Sequence, residues 1–331
     1  MRFIRSIFPI LALATSGCAS SSVPPAPELK LKDDFIQQQA DKGMDRAEVQ
    51  QLLKQAKFNQ EVIDAITRPW EAKPWYKYYP LFLTEKRLNA GLKFWKQHET
   101  TITKASKQFQ VDPEVIVAII GIETFYGNYL GRYSVLDSLY TLGFYYPPRG
   151  KFFRSELGNL MQLVKEENLD INQLKGSYAG AMGFGQFIPS SYRHYAVDFD
   201  KSGNRDLTGS PVDAIGSVAN YLHKHRWQLG QPVALQLTSA NNVAPKAKAW
   251  KGERLKLKVS DILSAQVFLK HNLDIDVSQP AMLIALDQPK AKEYWLGLNN
   301  FYVITRYNRS PLYAMAVYQF SQQLKQAHEK K

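Results

Sequence analysis

The N-terminal part of the chain carries apolar residues at three- and four-residue spacings among charged ones, from Lys30 to about Gln108. That spacing is the period of amphipathic helices, and Pro74 and Pro80 mark breaks between them. We therefore expect a helical domain over residues 30–108.

A longer apolar run follows at residues 115–122. Asp112 is a good N-cap residue and Pro113 suits the first position of a helix, so the run is predicted to be a helix that begins there. The competing interpretation is a buried strand, because a short apolar run has no clear period of its own. In the helix, Glu123 would lie at the C-terminal end of the apolar face.

The pattern changes between about residues 232 and 295, where three short segments are alternating or apolar in the manner of strands. They cover residues 233–237, 255–259 and 282–286, and they predict a small β-rich unit. Residues 294–307 are expected to be strand-like or irregular, and residues 314–323 to form a terminal helix.

Composition bounds the possibilities only loosely. With 331 residues, of which 45% are apolar, the chain can bury a sizeable core in two or three structural units. The formal net charge of +12 suits an anionic partner such as an acidic polymer, a lipid surface or a nucleic acid. The basic residues are scattered, however, which is typical of an ordinary solvated surface.

Residues 1–17 have the features of an export signal. Arg2 and Arg5 precede an apolar stretch at residues 7–14 that is too short to span a bilayer. Residues 15–18 resemble a bacterial lipoprotein processing site, at which Cys18 would be lipidated and would begin the mature chain. The alternative is that Cys18 is removed together with the signal.

The lipoprotein interpretation implies an outer-membrane protein that faces the periplasm of a Gram-negative bacterium, with residues 18–29 as a lipidated tether. Cys18 is the only cysteine, so no intramolecular disulfide can form. Export also argues against a nucleic acid as the partner of the basic surface, so no nucleic-acid binding is expected.

Glu123 is the only carboxylate within residues 115–127. Apolar surroundings disfavour the charged form of a carboxyl, so its pKa would rise and it could hold a proton near neutral pH for donation to a leaving oxygen. The alternative is a glutamate at the exposed end of a buried helix.

Residues 176–192 form a second informative stretch, which is rich in glycine and other small residues. Small residues let a ligand approach the backbone, and Ser177 and Gln186 offer hydrogen bonds. The pattern of a phosphate-binding loop is absent, and a glycine-rich turn with a purely structural role is the alternative.

Residues 198–206 resemble the front of an EF-hand-like calcium loop, with Gly203 at position 6. The oxygen-bearing side chains at positions 1, 3, 5 and 9 are those of Asp198, Asp200, Ser202 and Asp206. Gly209 stands at position 12, where a glutamate is usual, so Asp213 would have to close the site. Asp213 also fits a capping box with Ser210 that opens the next helix, and a solvated turn is the alternative to a calcium site.

Zinc and serine-hydrolase chemistry are not expected. The histidines show no His-Glu-x-x-His pattern, and no Gly-x-Ser-x-Gly elbow occurs in the chain.

Four separated segments together resemble the membrane-bound lytic murein transglycosylase B family: residues 122–124, 176–192, 212–221 and 307–310. The resemblance runs over about residues 30–320 and implies a mainly α (α+β) fold. A lysozyme-like helical core with a calcium loop would occupy residues 109–231, next to the helical domain. A small β domain would be inserted at residues 232–295, and residues 296–331 would return to the core and the helical domain.

The resemblance also implies an activity, which is cleavage of the β-1,4 bond between N-acetylmuramic acid and N-acetylglucosamine in peptidoglycan. The product would carry a 1,6-anhydromuramoyl end, and Glu123 would act as the acid and then as the base. The glycan site would include Ser177, Gln186, Tyr221, Tyr307 and Tyr313. For these five residues the alternative is ordinary packing or capping.

Asn204 would add a backbone carbonyl to a structural calcium ion far from the scissile bond, and no organic cofactor is implied. The enzyme is expected to be a monomer.

Two other functions stay open at this point. A lysozyme-type hydrolase would need a second carboxylate, for which Asp137 and Glu156 are candidates, although a surface or helix-end role is expected for both. The other is a non-catalytic lipoprotein that binds the cell wall.

Overall fold

The computed structural model describes residues 26–68, 73–240, 243–271 and 273–330. Cys18 and the expected export signal lie outside this part of the chain. Within it, no helix has the length and apolar character needed to cross a membrane.

The N-terminal part is helical, as the residue spacing predicted. Side-chain caps start several of its helices: Asp45 accepts a hydrogen bond from the Glu48 N–H, and Thr84 accepts one from the Arg87 N–H. The helices are α1 (Ala26–Asp41), α2 (Arg46–Gln55), α3 (Gln60–Ile66), α4 (Trp75–Tyr78), α5 (Glu85–Gln97) and α6 (Glu99–Phe109).

The next helix, α7 (Pro113–Thr124), is the centre of the fold. It begins at the proline after Asp112, so the prediction of a helix is confirmed and the strand interpretation is wrong. Residues 115–120 are at most 1% exposed, because α5, α6, α11 (Pro211–Lys224) and α14 (Pro311–Glu329) pack around them. A helix that is apolar on all sides is stable only in such a position.

A helical pair and a very short sheet complete the core. The helices α8 (Val135–Tyr145) and α9 (Gly150–Glu166) pack against each other, and α10 (Pro189–Tyr195) packs on α9. The strands β1 (Tyr133–Ser134) and β2 (Lys175–Gly176) pair antiparallel and hold the start of the glycine-rich stretch.

Strands form in the region where the sequence analysis expected a small β-rich unit. Its strands are β3 (Ala234–Ser239), β4 (Leu257–Lys258), β5 (Val267–Leu269), β6 (Pro280–Asp287) and β7 (Lys292–Gly297), with the short helix α12 (Val259–Ile262). The sheet has the order β4-β6-β7-β3-β5, and every neighbouring pair is antiparallel. Leu283 on β6 faces Leu296 on β7 in a hydrophobic cluster separate from the main core.

The expectation of strand-like or irregular structure over residues 294–307 is wrong for its second half, which forms the helix α13 (Asn299–Tyr307). Aromatic and β-branched residues such as Val303 favour strands by propensity. Here Phe301 and Ile304 bury one helical face, and α13 packs on α14, so tertiary packing overrides that preference. The terminal helix α14 is longer at both ends than the predicted residues 314–323.

Candidate active site

Glu123 occupies the last turn of α7, at the point where the chain reverses. Phe125, Tyr126 and Gly127 follow with φ angles of 51°, 61° and 86°, which end the helix in the left-handed region. The Thr124 hydroxyl donates to the Phe184 carbonyl at 2.9 Å and accepts from the Gly127 N–H at 3.0 Å. These bonds attach the end of α7 to the glycine-rich loop and so fix Glu123 beside that loop.

Among the residues that the structure describes, one side chain donates a hydrogen bond to the carboxyl of Glu123. The Tyr313 hydroxyl, from the first turn of α14, donates to Glu123 Oε1 at 2.6 Å. Burial raises the pKa of Glu123 from the ordinary 4.5 to about 7, and the bond from Tyr313 opposes that rise because it stabilises the charged form. The side chain keeps partial exposure to solvent, so a substrate can reach it.

Glu123 is therefore a carboxyl that holds its proton up to about neutral pH and is accessible from outside. These are the two properties that a general acid needs. The alternative of a glutamate at an exposed helix end does not fit this environment.

The glycine-rich loop is shaped by close backbone contacts. A Cβ at Gly131 would lie 2.1 Å from the Gly176 carbonyl, so the two segments can meet only because residue 131 is a glycine. Ser177 Oγ accepts hydrogen bonds from the N–H groups of Ala179 and Ala181, at 3.3 and 3.1 Å. The side chain of Ser177 thus caps the turn inside the loop.

Gln186 sits at a tight turn of the same loop with a φ angle of 49°. Its Nε2 donates to the carbonyls of Leu130 and Gly183, at 3.1 and 3.0 Å. The amide group therefore joins the segment after Glu123 to the loop, and these two bonds fix the position of the Gln186 side chain.

Tyr221 and Tyr307 form an aromatic pair, with ring centroids 4.8 Å apart and an interplanar angle of 64°. The Tyr307 hydroxyl donates to the Gly185 carbonyl, and the Tyr221 hydroxyl donates to the Arg306 carbonyl, each at 2.5 Å. Burial raises the pKa of Tyr307 well above its ordinary value, and the nearby charge of Glu123 raises it further. The structure thus brings Tyr307 and Tyr313 close to Glu123.

Tyr221 is buried more deeply than Tyr307. Its side chain is 7% exposed, with Tyr195 and His225 against its ring. Its ring is therefore held by packing against aromatic side chains, and its hydroxyl by the bond to Arg306. Thr124 is the site residue that the sequence analysis missed, and its partner Phe184 lies 60 residues further along the chain. No local pattern could have indicated that pairing.

The two other candidate carboxylates are engaged elsewhere. Glu156 Oε2 accepts a hydrogen bond at 2.9 Å from the Ser190 N–H, in the first turn of α10. Asp137, in the first turn of α8, accepts one at 2.7 Å from the Lys57 N–H. Asp137 has the helix-end position that the sequence analysis expected, whereas Glu156 is buried within α9 and its carboxylate caps the start of α10 instead.

The candidate calcium loop brings three carboxylates together. Asp198, Asp200 and Asp213 each place an oxygen within 4.8 Å of the others, and Asp213 is fully buried. Burial raises the pKa of Asp213, whereas a hydrogen bond from Ser202 lowers that of Asp200. Three carboxylates this close repel one another, and an all-oxygen site with this charge fits Ca²⁺.

The remaining residues of the loop have more varied roles. Ser202 Oγ donates to Asn204 Oδ1 at 2.9 Å and to the Asn204 carbonyl at 3.3 Å. Asp206 does not join the three carboxylates, because its Oδ1 accepts from the Thr208 N–H and hydroxyl and from the Gly209 N–H. A ligand at position 9 of such loops often acts through water, so this part of the ligand set stays a prediction.

Asp213 makes one of the two hydrogen bonds of the expected capping box. Its N–H donates to Ser210 Oγ at 3.1 Å, as in such a box. Its carboxylate instead accepts from the N–H groups of Phe199, Asp200 and Asp206. Asp213 therefore organises the loop in addition to opening α11.

A mainly helical α+β fold that presents an accessible glutamate of raised pKa between a glycine-rich loop and buried tyrosines is typical of lysozyme-like enzymes that act on glycans. Comparison with known proteins agrees. Residues 28–322 match the family described as the transglycosylase SLT domain. The chain is 42% identical over 299 residues to membrane-bound lytic murein transglycosylase B of Escherichia coli (strain K12), covering 87% of this chain and 81% of that protein.

Solved structures show the same fold. Soluble lytic transglycosylase SltB1 from Pseudomonas aeruginosa superposes with a TM-score of 0.83 at 39% identity, over 91% of this chain and 99% of that one. The Escherichia coli lytic transglycosylase Slt35 in complex with calcium gives a TM-score of 0.80 at 40% identity, over 90% and 93% of the two chains. The chain belongs to the lytic murein transglycosylase family of enzymes acting on peptidoglycan, and the lysozyme-like fold class is confirmed.

Proposed function

We propose that the chain cleaves the β-1,4 bond between N-acetylmuramic acid and N-acetylglucosamine with Glu123 as its single acid and base. The observation that carries this proposal is the raised pKa of Glu123 in an accessible position, together with its bond to Tyr313. A carboxyl with a pKa of about 7 is protonated in a large fraction of molecules at neutral pH, as a general acid must be.

In the first step, the proton of Glu123 passes to the glycosidic oxygen as the bond from the muramoyl C1 to that oxygen breaks. Positive charge then develops at C1, where the N-acetyl oxygen of the same sugar can stabilise it. In the second step, the Glu123 carboxylate takes the proton of the muramoyl C6 hydroxyl as O6 bonds to C1. The acid is regenerated, and no water is consumed.

The surrounding residues supply what this cycle requires. Tyr313 stabilises the carboxylate that exists between the two steps. Ser177, Gln186, Tyr221 and Tyr307 are proposed to hold the glycan, since the first two carry polar groups beside the loop and the tyrosines offer apolar faces for sugar rings. For Tyr221, whose exposure is low, this role rests on the resemblance to the family and on its contact with Tyr307.

The test uses the protein without residues 1–18 on purified peptidoglycan sacculi. We expect it to release muropeptides that are one water lighter than hydrolysis products. Glu123→Gln should fold and release none, whereas Glu156→Gln should remain active, because Glu156 is also buried but only caps α10. Reducing muramoyl ends would instead support the lysozyme-type hydrolase, and release by Glu123→Gln would assign the acid to another residue.

We further propose a structural calcium ion held by Asp198, Asp200, Ser202, Asn204 and Asp213, with Asp206 as a contact through water. The three clustered carboxylates support this, as does the calcium complex of the related Slt35. When bound, the ion would neutralise the loop and join it to the start of α11. No organic cofactor is part of the proposal.

The proposed location is the periplasmic face of the outer membrane, through a lipid on Cys18, with the protein acting as a monomer. The export-like residues 1–17 support this, and the Escherichia coli relative is named as membrane-bound. Wild-type protein should incorporate radiolabelled palmitate and fractionate with membranes. Cys18→Ala should do neither, and membrane attachment of that variant would contradict the proposal.

A further inference from the structure

The segment 246–258 runs along the outer side of β6 and forms one edge of the β-rich sheet. Leu257 pairs antiparallel with Ala281 of β6. Ala249 lies opposite Leu283, two residues further along the same strand, which is roughly 7 Å away. The segment therefore folds back on itself and covers a short stretch of the sheet edge.

Every basic side chain of this segment is exposed. In the sequence these residues are separated by apolar ones, so no continuous run of charge is visible. In the structure the apolar residues, such as Trp250 and Leu257, pack against the hydrophobic clusters and leave the basic ones outside. The exposed basic residues are Lys246, Lys248, Lys251, Arg254, Lys256 and Lys258. None of the six has an ion pair among the residues that the structure describes.

Few negative charges oppose this basic edge. Glu253 is the only acidic residue within the segment, and its carboxylate accepts from the Lys251 N–H at 3.0 Å. Three aspartates follow beyond its C-terminal end, of which Asp261 accepts from the Lys258 N–H at 2.7 Å. The others are Asp274 and Asp276, and Asp276 accepts from the Ser278 N–H at 2.8 Å. The segment itself thus keeps a strong positive charge.

Exposed apolar side chains lie at the end of the same edge. The Val277 carbonyl accepts from the Ser260 N–H at 2.9 Å, two residues after Lys258. The side chain of Val277 is 53% exposed, and Leu273 in the same loop is 44% exposed. Lysines at a sheet edge can simply prevent pairing with another sheet, but exposed apolar side chains beside them do not serve that purpose. Basic and apolar side chains together are typical of proteins that lie on an anionic lipid surface.

The basic edge lies at the end of β6 that is remote from the active site. The other end of the strand, at Asp287, lines a pocket together with residues 308–312, which immediately precede Tyr313. From Leu283 to Asp287 the strand extends by roughly 13 Å. A surface bound at the basic edge therefore leaves Glu123 free to act on peptidoglycan.

We propose that the basic edge, residues 246–258, docks on an anionic phospholipid surface. Lysine side chains are flexible point charges, which suit a fluid layer of phosphate groups better than a single ligand held in a fixed geometry. The presence of a membrane rests on the proposed location, whereas the docking itself is independent of the chemistry at Glu123. Docking orients the enzyme, with its active site turned away from the lipid.

The test measures sedimentation of the protein with phospholipid vesicles, and it uses the protein without residues 1–18 so that no lipid anchor contributes. One set of vesicles contains phosphatidylcholine with phosphatidylglycerol, and the other contains phosphatidylcholine alone. The edge variant combines Lys248→Gln, Lys256→Gln and Lys258→Gln. The control variant removes the same charge from exposed positions of α5 and α6, by Lys93→Gln, Lys96→Gln and Lys107→Gln.

We expect the wild type and the control variant to bind only the vesicles that contain phosphatidylglycerol, and to bind more weakly as the salt concentration is raised. The edge variant should bind about a hundredfold more weakly, since each lysine close to an anionic surface contributes about fivefold. Replacing the same three lysines with arginine keeps the charge and should restore binding. The edge variant should also keep wild-type activity on soluble glycan strands, because its active site is unchanged.

The inference would be overturned if the wild type did not bind, if it bound both sets of vesicles equally, or if the edge variant bound as well as the wild type or the control variant. A loss of binding by the edge variant to purified sacculi but not to vesicles would also overturn it, and would assign the basic edge to peptidoglycan. The proposed cleavage is judged separately, from the anhydromuramoyl products of the wild type.

Discussion

The hydrogen bond from Tyr313 to Glu123 makes a prediction about how activity depends on pH. Replacing Tyr313 with phenylalanine removes the only hydrogen-bonding side chain on Glu123 in the described part of the chain, at little change in volume. Such a bond stabilises the carboxylate more than the neutral acid, so its loss must raise the pKa of Glu123 further above about 7.

The size of the effect follows from the 2.6 Å distance, which is that of a strong hydrogen bond to a charged oxygen. A bond of this kind contributes about 1.5–3 kcal/mol, of which the neutral acid retains roughly half. Since one pH unit corresponds to about 1.4 kcal/mol, the pKa should move from about 7 to about 8.

The assay is the pH dependence of kcat/KM on soluble glycan strands at constant ionic strength. A general acid works only when protonated, so the wild-type rate should fall about tenfold per pH unit above about 7. In Tyr313→Phe the rate at its plateau should be lower, and the fall should begin about one pH unit higher. In Tyr221→Phe, whose hydroxyl binds the Arg306 carbonyl, the fall should begin where it does in the wild type.

An unchanged or lower apparent pKa in Tyr313→Phe would refute the reasoning. It would mean either that Tyr313 does not stabilise the carboxylate, or that the measured limb does not report Glu123.

Three further predictions concern stability. The folded protein holds the Glu123 proton more tightly than the unfolded chain, so the free energy of unfolding falls as the pH rises from 4.5 to about 7. In urea unfolding, Glu123→Gln should therefore be up to about 3 kcal/mol more stable than wild type at pH 8 and about equal to it near pH 4. Equal stability at pH 8 would contradict the raised pKa of Glu123. Calcium at a hundredfold excess over its dissociation constant should stabilise the protein by about 2.7 kcal/mol and raise its Tm. Asp200→Asn should abolish this response, whereas Asp276→Asn, in an exposed turn of the β-rich part, should keep it. The same Tm in chelator and in calcium would contradict the proposed site and leave Asp213 with only its hydrogen bonds to the loop. In thermal unfolding, Gly131→Ala should destabilise the protein by at least about 2 kcal/mol more than Gly252→Ala. Both glycines have φ above 100°, but only at Gly131 would the added Cβ collide with the backbone of another segment. Equal losses of stability would show that the φ angle alone requires glycine at Gly131.

The helix that carries Glu123 could be predicted from local signals. Asp112 and Pro113 fix where α7 begins, and the spacing from there places Glu123 in its last turn. The apolar residues before Glu123 in the sequence also predicted that its pKa is raised. The structure agrees, because burial of the helix raises the pKa of Glu123 to about 7.

Contacts between distant residues could not be predicted in the same way. The partner of Glu123 is 190 residues away, and nothing near Tyr313 in the sequence indicates that its hydroxyl points at a carboxyl. The place of Tyr313 in the site came from resemblance to a family, because aromatic residues on a helix usually pack in the core.

The calcium loop shows a limit of pattern matching. The spacing of Asp198 and Asp200 predicted neighbouring carboxylates, and these residues do lie together with Asp213. The same spacing suggested Asp206, whose carboxylate turns instead to the backbone of residues 208–209. Aspartate readily makes such local turns, and a sequence pattern does not distinguish them from ligation.

The most direct test of the central claim is digestion of peptidoglycan in ¹⁸O-labelled water, with mass analysis of the muramoyl ends. If the Glu123 carboxylate regains its proton from the C6 hydroxyl, the new ends must be anhydromuramoyl groups that contain no ¹⁸O, and Glu123→Gln must produce none. Reducing ends that carry one ¹⁸O atom would show that water attacks C1, and would contradict the account.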